Sequence, residues 1–251
     1  MKKIILFFIA IIILSPLLSN NLTTVDNPTA ALLSSGEARI HQKIYRENGM
    51  LVGIDVGIFD FFQFGVSYGA ENIVGEKEPN WHKFPTVNAK IRVIDETFTL
   101  PALALGIETG GHGAYHEGFK RYDIKSKGAY VVVSKNYAIM GLFGIDFGAN
   151  YSFEEARDDD LDFDVFAGAY KTIGSKVTIL ADLSLGLNDR NGDNPPYRYI
   201  AGRDRTYLNG AIQWNVTEQF SLKLLMHDLL KNKRSTELFD RSIVLDYRWF
   251  F

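Results

Sequence analysis

The sequence contains no cysteine among its 251 residues. This absence excludes a disulfide framework and a lipid-modified N-terminal cysteine. An excess of charge of one sign is also lacking, because 27 Lys and Arg residues are balanced by 30 Asp and Glu residues, which gives a formal net charge of −3. Such a mildly acidic balance gives no indication of nucleic-acid binding.

Long apolar runs are confined to the N-terminus. Met1-Lys2-Lys3 precedes an apolar run from Ile4 to Leu14, and small polar residues follow at positions 19–21. A basic start, a short apolar run and a polar exit predict a secretory signal peptide over residues 1–19. The rest of the chain lacks the roughly twenty consecutive apolar residues that a membrane-spanning helix needs, so a helical membrane protein is excluded.

Apolar residues recur instead at every second position. Between residues 141 and 151, for example, Phe143, Ile145 and Phe147 alternate with small or polar residues such as Asp146. Segments of this kind return along the whole chain and give about twelve strands of roughly ten residues, the length of a tilted transmembrane strand. The pattern predicts an all-β fold, an antiparallel transmembrane β-barrel with an outer face in lipid and a polar inner face.

The connections between these strands alternate in length. Short turns are predicted at Phe59-Asp60, Asp95–Thr97 and Lys135-Asn136, with long polar stretches between them, and Asn48-Gly49 forms a tight hairpin on the long-loop side. This asymmetry indicates short periplasmic turns and longer extracellular loops, with both termini on the periplasmic side. We therefore expect a signal peptide at 1–19, an N-terminal periplasmic segment at 20–35 and the barrel at 36–251.

The last strand ends on an aromatic residue. Its alternating apolar positions are Leu245, Tyr247, Trp249 and Phe251. This ending resembles the C-terminal assembly signal of bacterial outer-membrane β-barrels. The resemblance implies a location in the bacterial outer membrane, with the barrel-assembly machinery, outer-membrane lipids and lipopolysaccharide as partners; it leaves the oligomeric state open.

A second resemblance extends over the mature chain as a whole. The first hairpin pair, from Leu33–Arg39 through Gly65–Gly69, and the terminal strand are the parts in which the chain resembles the YjbH-like outer-membrane proteins. That resemblance implies an outer-membrane barrel and an association with exopolysaccharide export, in a family whose members are usually much larger.

The polar faces of the strands carry ionisable side chains of both signs. Those predicted to line the lumen are Arg39, Lys43, Asp55, Lys90, Arg92, Asp146, Asp164, Asp182, Lys223, Asp246 and Arg248. Such residues either create a transverse field that selects polar solutes or fill a narrow barrel with salt bridges, and the pattern leaves both open. Glycines such as Gly53, Gly57, Gly144 and Gly148 are expected to keep the inner wall thin.

The sequence gives only weak indications of catalytic or metal-binding residues. His112 and His116 lie in a Gly-rich stretch and are expected to be solvated loop residues, and Asp189–Asp193 lacks the Gly and Glu of a calcium loop, which favours a polar surface loop. The acidic run Asp158–Asp160 is expected to be solvated. The apolar faces carry almost none of the Ser and His that an outer-membrane lipid hydrolase would place there. We therefore expect no catalytic set, no metal and no cofactor.

The sequence thus favours a passive pore or export conduit for polar solutes, saccharides among them. The main alternative is a non-conducting structural or surface-binding barrel whose function resides in its extracellular loops. A lipid hydrolase is a third, less favoured hypothesis.

Overall fold

The computed structural model describes residues 21–154, 163–189, 202–203, 206–234 and 238–251. The predicted signal peptide and the acidic run Asp158–Asp160 lie outside these ranges. Within the described ranges the regular secondary structure is entirely β. No helix in this part of the chain has the length and the apolar character needed to cross a membrane.

Fifteen strands are present in the described residues. They are β1 (Glu37–Tyr45), β2 (Gly49–Phe59), β3 (Phe62–Glu71), β4 (Asn80–Trp81), β5 (Thr86–Ile94), β6 (Ala102–Glu108), β7 (His112–His116), β8 (Arg121–Ile124), β9 (Gly128–Ala138), β10 (Leu142–Tyr151), β11 (Asp164–Ile173), β12 (Val177–Ser184), β13 (Tyr207–Asn215), β14 (Phe220–His227) and β15 (Asp240–Phe250).

Twelve of these strands form a closed antiparallel ring. Its order is β1, β2, β3, β5, β6, β9, β10, β11, β12, β13, β14 and β15, and β15 pairs back onto β1. The closing register pairs Glu37 with Phe250, and the backbone N–H of Phe251 donates to the carbonyl of Gly36. A closed ring leaves no unpaired strand edge in the bilayer. The prediction of an antiparallel barrel of about twelve strands is confirmed.

The period-two pattern of the sequence determines which side chains face outward. In β10 the side chain of Phe147 is 61% exposed, whereas that of Asp146 is 4% exposed. The same alternation leaves Ile54, Ile179 and Leu224 exposed on their strands. So many large apolar side chains on one surface would be a liability in water, but they match the hydrocarbon core of a membrane.

The two ends of the barrel differ in the length of their connections. The short-turn end carries the β2–β3, β5–β6, β9–β10, β11–β12 and β13–β14 connections. The long-loop end carries the β3–β5, β6–β9, β10–β11, β12–β13 and β14–β15 connections, together with the tight β1–β2 hairpin. The strands β4, β7 and β8 belong to the long connections, and β7 pairs with β8 as a separate hairpin. The predicted asymmetry is confirmed.

One predicted turn was placed wrongly. Lys135 and Asn136 do not form a turn but continue β9, and the chain reverses at 139–141, where Met140 and Gly141 have positive φ angles. The polar pair fits inside the strand because Glu96 accepts hydrogen bonds from both the backbone N–H and the side-chain amide of Asn136, each at 2.7 Å. The ammonium of Lys135 donates to carbonyls of the neighbouring β5–β6 turn.

Candidate functional site

The ionisable residues of the inner face are mostly buried. Asp55, Lys90, Asp146, Asp164, Asp182, Lys223 and Asp246 are buried in the structure, and Arg39, Lys43 and Arg248 are partly buried. Arg92 differs from the others, because it lies at the short-turn end, where its guanidinium pairs with the exposed Asp95 at 2.7 Å. That these side chains line a conducting lumen stays a prediction.

A stretch of chain upstream of β1 lies inside the barrel. We call residues 21–33 the lumenal segment; its backbone and side chains contact inward-facing residues of strands on opposite sides of the ring. Asn21, Thr24, Asn27 and Leu33 are among its buried side chains. The sequence predicts a separate periplasmic segment for residues 20–35. The structure corrects this expectation, because the polar groups of the segment find their partners within the barrel wall.

One contact between the lumenal segment and the wall is a carboxylate that binds backbone amides of the segment. The Asp182 Oδ2 atom accepts hydrogen bonds from the backbone N–H groups of Val25, Asp26 and Asn27 at 3.0, 2.7 and 2.9 Å. The hydroxyl of Thr24 donates to the same oxygen at 3.1 Å. Successive N–H groups that converge on one point form an anion-binding nest. A buried carboxylate of β12 is therefore satisfied by the lumenal segment.

On β5, the positively charged Lys90 binds backbone carbonyls of the same segment. The ammonium of Lys90 donates to the backbone carbonyls of Leu22, Thr29 and Ala31 at 3.2, 2.9 and 2.9 Å. An ammonium has three donors and no acceptor, so these contacts use its full hydrogen-bonding capacity. Lys90 and Asp182 thus hold the carbonyl and amide groups of the same segment from different strands.

Two small apolar clusters add to these polar contacts. Val25 packs with Tyr170 and Leu180 in one cluster, and Ala30 packs with Val132 and Phe166 in the other. Burial of a valine side chain contributes about 1.5–3 kcal/mol. The segment is therefore held by apolar packing as well as by hydrogen bonds.

The inner-wall glycines make room for this filling. A Cβ atom at Gly57 would lie 2.0 Å from the carbonyl oxygen of Ser34, and one at Gly168 would lie 2.7 Å from Thr24. At Gly144 and Gly148 the space is taken by the rings of Tyr170 and Phe166. The glycines were expected to keep the wall thin for a passage; in this structure, chain and side chains occupy the space that they leave.

The β7–β8 hairpin lies at the long-loop end. Arg121 is fully buried, and its guanidinium pairs with Asp189 at 2.8 Å. Asp189 also accepts a hydrogen bond from Tyr207. The sequence predicts a polar surface loop at Asp189–Asp193, of which residues 190–193 lie outside the described ranges. At Asp189 the prediction is wrong, because this residue is buried and Arg121 of the hairpin compensates its charge.

A second ionic centre at this end surrounds Asp123. His116, Lys233 and Arg46 approach its carboxylate at 2.7, 3.0 and 3.3 Å. Burial would raise the pKa of Asp123, but the hydrogen bond from His116 and the nearby cations hold this pKa well below its usual range. His116 was expected to be a solvated loop residue, and the pairing with Asp123 corrects that expectation.

Asp26 is the ionic centre of the lumenal segment. Its carboxylate lies 2.6 Å from His227 Nδ1, 3.4 Å from His112 Nδ1 and 3.6 Å from Lys43 Nζ. Burial would raise the pKa of Asp26, but the interactions with His112, His227 and Lys43 hold this pKa well below its usual range. His112 is therefore a contact between the hairpin and the segment rather than a solvated loop residue.

A small cavity remains at the long-loop end between the segment, the hairpin and the wall. Its volume is about 20 Å³, and Asp26, His112, Lys127, Asn150, Asp164 and Tyr207 are among its lining residues. A volume of this size holds about one water molecule.

No cluster of three or more His, Cys, Asp or Glu residues suited to a metal ion occurs in the described part of the chain. The residues that fill the barrel were missed by the sequence reasoning, Thr24, Asp26 and Asn27 above all. The available signal was indirect, since glycines at inner-face positions such as Gly57 and Gly168 leave space that something must fill.

The Lys90 contacts lead to a stability prediction. Replacing Lys90 with Met deprives the carbonyls of Leu22, Thr29 and Ala31 of their donor, and a buried acceptor without a partner costs about 1–3 kcal/mol. We expect faster deuterium exchange at residues 21–31 in detergent micelles. The matched control is Lys171→Met, because Lys171 donates to turn carbonyls at Ile139 and Met140. Equal exchange in the two variants would contradict the assigned contacts.

Comparison with known proteins finds several solved barrels and nothing at the sequence level. No protein-family model and no curated protein matches the chain. The NanC porin is 12% identical with a TM-score of 0.48, and the match covers 85% of this chain and 99% of that chain. The KdgM porin is 7% identical with a TM-score of 0.49, covering 86% and 99%. Omp33 of Acinetobacter baumannii is 12% identical with a TM-score of 0.42, covering 86% and 97%.

The class of the protein follows from its own strand pairings. A closed ring of twelve antiparallel strands, an apolar outer face, short turns at one end and long loops at the other define a transmembrane β-barrel of the outer-membrane type.

Proposed function

We propose that this chain is a passive outer-membrane passage for polar solutes, saccharides among them, and that the lumenal segment closes the passage in the conformation described above. One observation carries the proposal. The space inside the wall is occupied by a segment that is not a strand of the ring and that continues into β1 through residues 34–36. Movement of this segment would leave a lumen lined by Lys90, Asp182 and other charged residues, which favours polar solutes.

The location and partners are part of the same proposal. We infer that the protein resides in the bacterial outer membrane, with the short turns in the periplasm and the long loops outside. Its proposed partners are outer-membrane lipids, lipopolysaccharide and the barrel-assembly machinery, which would read Leu245, Tyr247, Trp249 and Phe251. Membership of the YjbH-like proteins, and a role in exopolysaccharide export, rest on the sequence resemblance. We propose no enzymatic activity.

A cross-link offers a direct test of the passage. An ideal Cβ at Gly168 lies 3.2 Å from the Cβ of Thr24, close to the separation of about 3.5–4.5 Å in a disulfide. Because the chain has no cysteine of its own, Thr24→Cys with Gly168→Cys would tie the segment to β11 alone. In planar bilayers we expect openings under reducing conditions, silence after oxidation, and recovery on reduction.

Controls separate the cross-link from side effects. Each single-cysteine variant should conduct regardless of the redox state. Conductance that persists in the oxidised double variant would show that ions do not pass where the segment lies. Silence of the reduced protein, together with silence of a variant lacking residues 21–33, would refute the passage.

The filled lumen also favours the alternative of a non-conducting barrel with a role in its long loops. The β7–β8 hairpin is the feature that supports it, because Arg121, Asp123 and Asp189 give this part of the outer end a fixed structure. Under this alternative the cross-linked and reduced proteins would be equally silent.

A further inference from the structure

Asp26 connects two parts of the inner wall that differ in charge. Its backbone N–H donates to Asp182 Oδ2 of β12 at 2.7 Å. Its own carboxylate lies 2.6 Å from His227 Nδ1 of β14 and 3.6 Å from Lys43 Nζ of β1. We propose that these wall residues form a binding site for small zwitterionic solutes, which Asp26 occupies while the lumenal segment lies in the barrel. The inference rests on the proposed function, because it names the class of solute that the passage takes.

The covalent frame of Asp26 indicates the shape of such a solute. Its backbone nitrogen and its side-chain carboxylate are separated by the Cα and Cβ atoms, as the amine and the carboxylate of β-alanine are separated by two carbon atoms. An ammonium in place of the backbone N–H would bring a full positive charge to Asp182, and hydrogen bonds between charged groups are roughly twice as strong as neutral ones. A β-amino acid therefore presents the same two groups to the wall, with stronger pairing at the nitrogen.

The wall holds this site in place through contacts of its own. The side-chain amide of Asn209 donates to Asp182 Oδ1 at 2.8 Å, and its oxygen accepts from the backbone N–H of Asp228, also at 2.8 Å. His227 Nε2 lies 2.6 Å from the hydroxyl oxygen of Ser242. These contacts do not involve the lumenal segment, so we expect the carboxylate and the imidazole to keep their orientation when the segment leaves. Groups that are already ordered bind a ligand without the cost of ordering them.

The tethered aspartate does not use the site fully. Its buried Oδ1 atom has no hydrogen-bond donor among the described residues, because Lys43 Nζ stays 3.6 Å away. A free solute is not tied to the backbone of the segment, so its carboxylate can move closer to this ammonium. The small cavity at the long-loop end also adjoins the site, since Asp26 and Asn209 are among its lining residues. It gives room for a small substituent on the solute.

Binding of a solute at this site competes with closure by the segment, because Asp26 and the solute need the same wall groups. A ligand that binds only the released state raises the population of that state by the factor 1 + [ligand]/Kd. Zwitterionic solutes should therefore open the passage that they use.

Deuterium exchange of the full chain in detergent micelles tests the site without a measurement of conductance. We expect β-alanine to accelerate exchange at residues 21–33, by about tenfold at a concentration ten times its Kd for the released state. Propionate lacks the amine and n-propylamine lacks the carboxylate, so both should have little effect at the same concentration. Equal acceleration by the three compounds, or none by β-alanine, overturns the site.

Two lysine variants separate the site from a general effect of charge. Lys43→Met removes the cation that faces the solute carboxylate, so β-alanine should accelerate exchange in this variant no more than propionate does. Lys171→Met is the matched control, because Lys171 donates to carbonyls of the turn at Ile139 and Met140, and it should retain the response of the full chain. A Lys43 variant that responds as strongly as the control contradicts the assigned carboxylate partner.

The variant with Thr24→Cys and Gly168→Cys provides the same test if the Lys43 variant does not form a barrel. Its oxidised form cannot release the segment, so β-alanine should leave its exchange unchanged, whereas the reduced form should respond. A response of equal size in the oxidised form would show that β-alanine acts elsewhere, and this result overturns the site.

The outcomes distinguish the site from the passage itself. If β-alanine accelerates exchange but the protein stays silent in planar bilayers at the same concentration, the site is supported and the proposed passage fails. If the protein conducts and its exchange does not respond to β-alanine, the passage stands and the site is overturned.

Discussion

Deletion of residues 21–33 is expected to turn rare openings into a steady conductance. The segment contributes the amides that bind Asp182 and the carbonyls that bind Lys90, and in its absence water can solvate both side chains. Even a free-energy difference of about 1.4 kcal/mol in favour of the closed state keeps that state ten times as populated as the open state. We therefore expect a rise in mean conductance of about tenfold or more in planar bilayers.

The deleted segment can be supplied again as a control. A synthetic peptide of residues 21–33, added from the short-turn side, should restore the block, and a scrambled peptide of the same composition should not. Heat-modifiable migration in gels would establish that the deletion variant forms its barrel. A folded deletion variant with no more conductance than the full chain would contradict the assignment of the segment as the closing element.

Phe147→Arg is expected to destabilise the barrel by about 2–4 kcal/mol, the cost of a cation on the lipid face at the bilayer midplane. Phe147 lies in the middle of β10, and its side chain points outward. The neighbours in register are Val133 on β9 and Ala167 on β11, and neither can pair with a guanidinium. Equilibrium unfolding in lipid vesicles, with urea as denaturant, measures the difference.

The matched control lies on the same strand and face. Phe143 is near the short-turn end of β10, where its ring stacks on Tyr137 with centroids 6.4 Å apart. An arginine at position 143 can extend to the head groups, so its cost near the interface should be about 0–1 kcal/mol. Equal losses at positions 143 and 147 would show that the assumed depth in the membrane is wrong.

The outer face of the barrel could be predicted because it depends on one local rule. Side chains alternate along a strand, and a lipid-exposed face must be apolar, so Phe143, Ile145 and Phe147 reveal their orientation without any knowledge of their neighbours. The same rule placed Asp146 and Asp182 on the inner face. The connections were predictable because their lengths are visible in the sequence.

The filling of the lumen could not be predicted in this way, because it depends on pairs of residues far apart in the chain. Asp26 and His227 are 201 positions apart in the sequence, and Asp182 is 155 to 157 positions from the residues whose amides it binds. No periodicity links such residues. His112 and Asp189 were misjudged for the same reason, since a polar residue in a loop looks alike whether it meets water or a buried partner.

The sequence by itself therefore determined the barrel, its twelve-strand wall and the faces of its strands, since alternation and turn length are local properties. Only the tertiary structure decided what occupies the interior. A wall lined with charges such as Lys90 and Asp182 can be satisfied by water or by protein. The lumenal segment supplies those partners because ring closure brings β5 and β12 around it, a proximity that the linear sequence does not record.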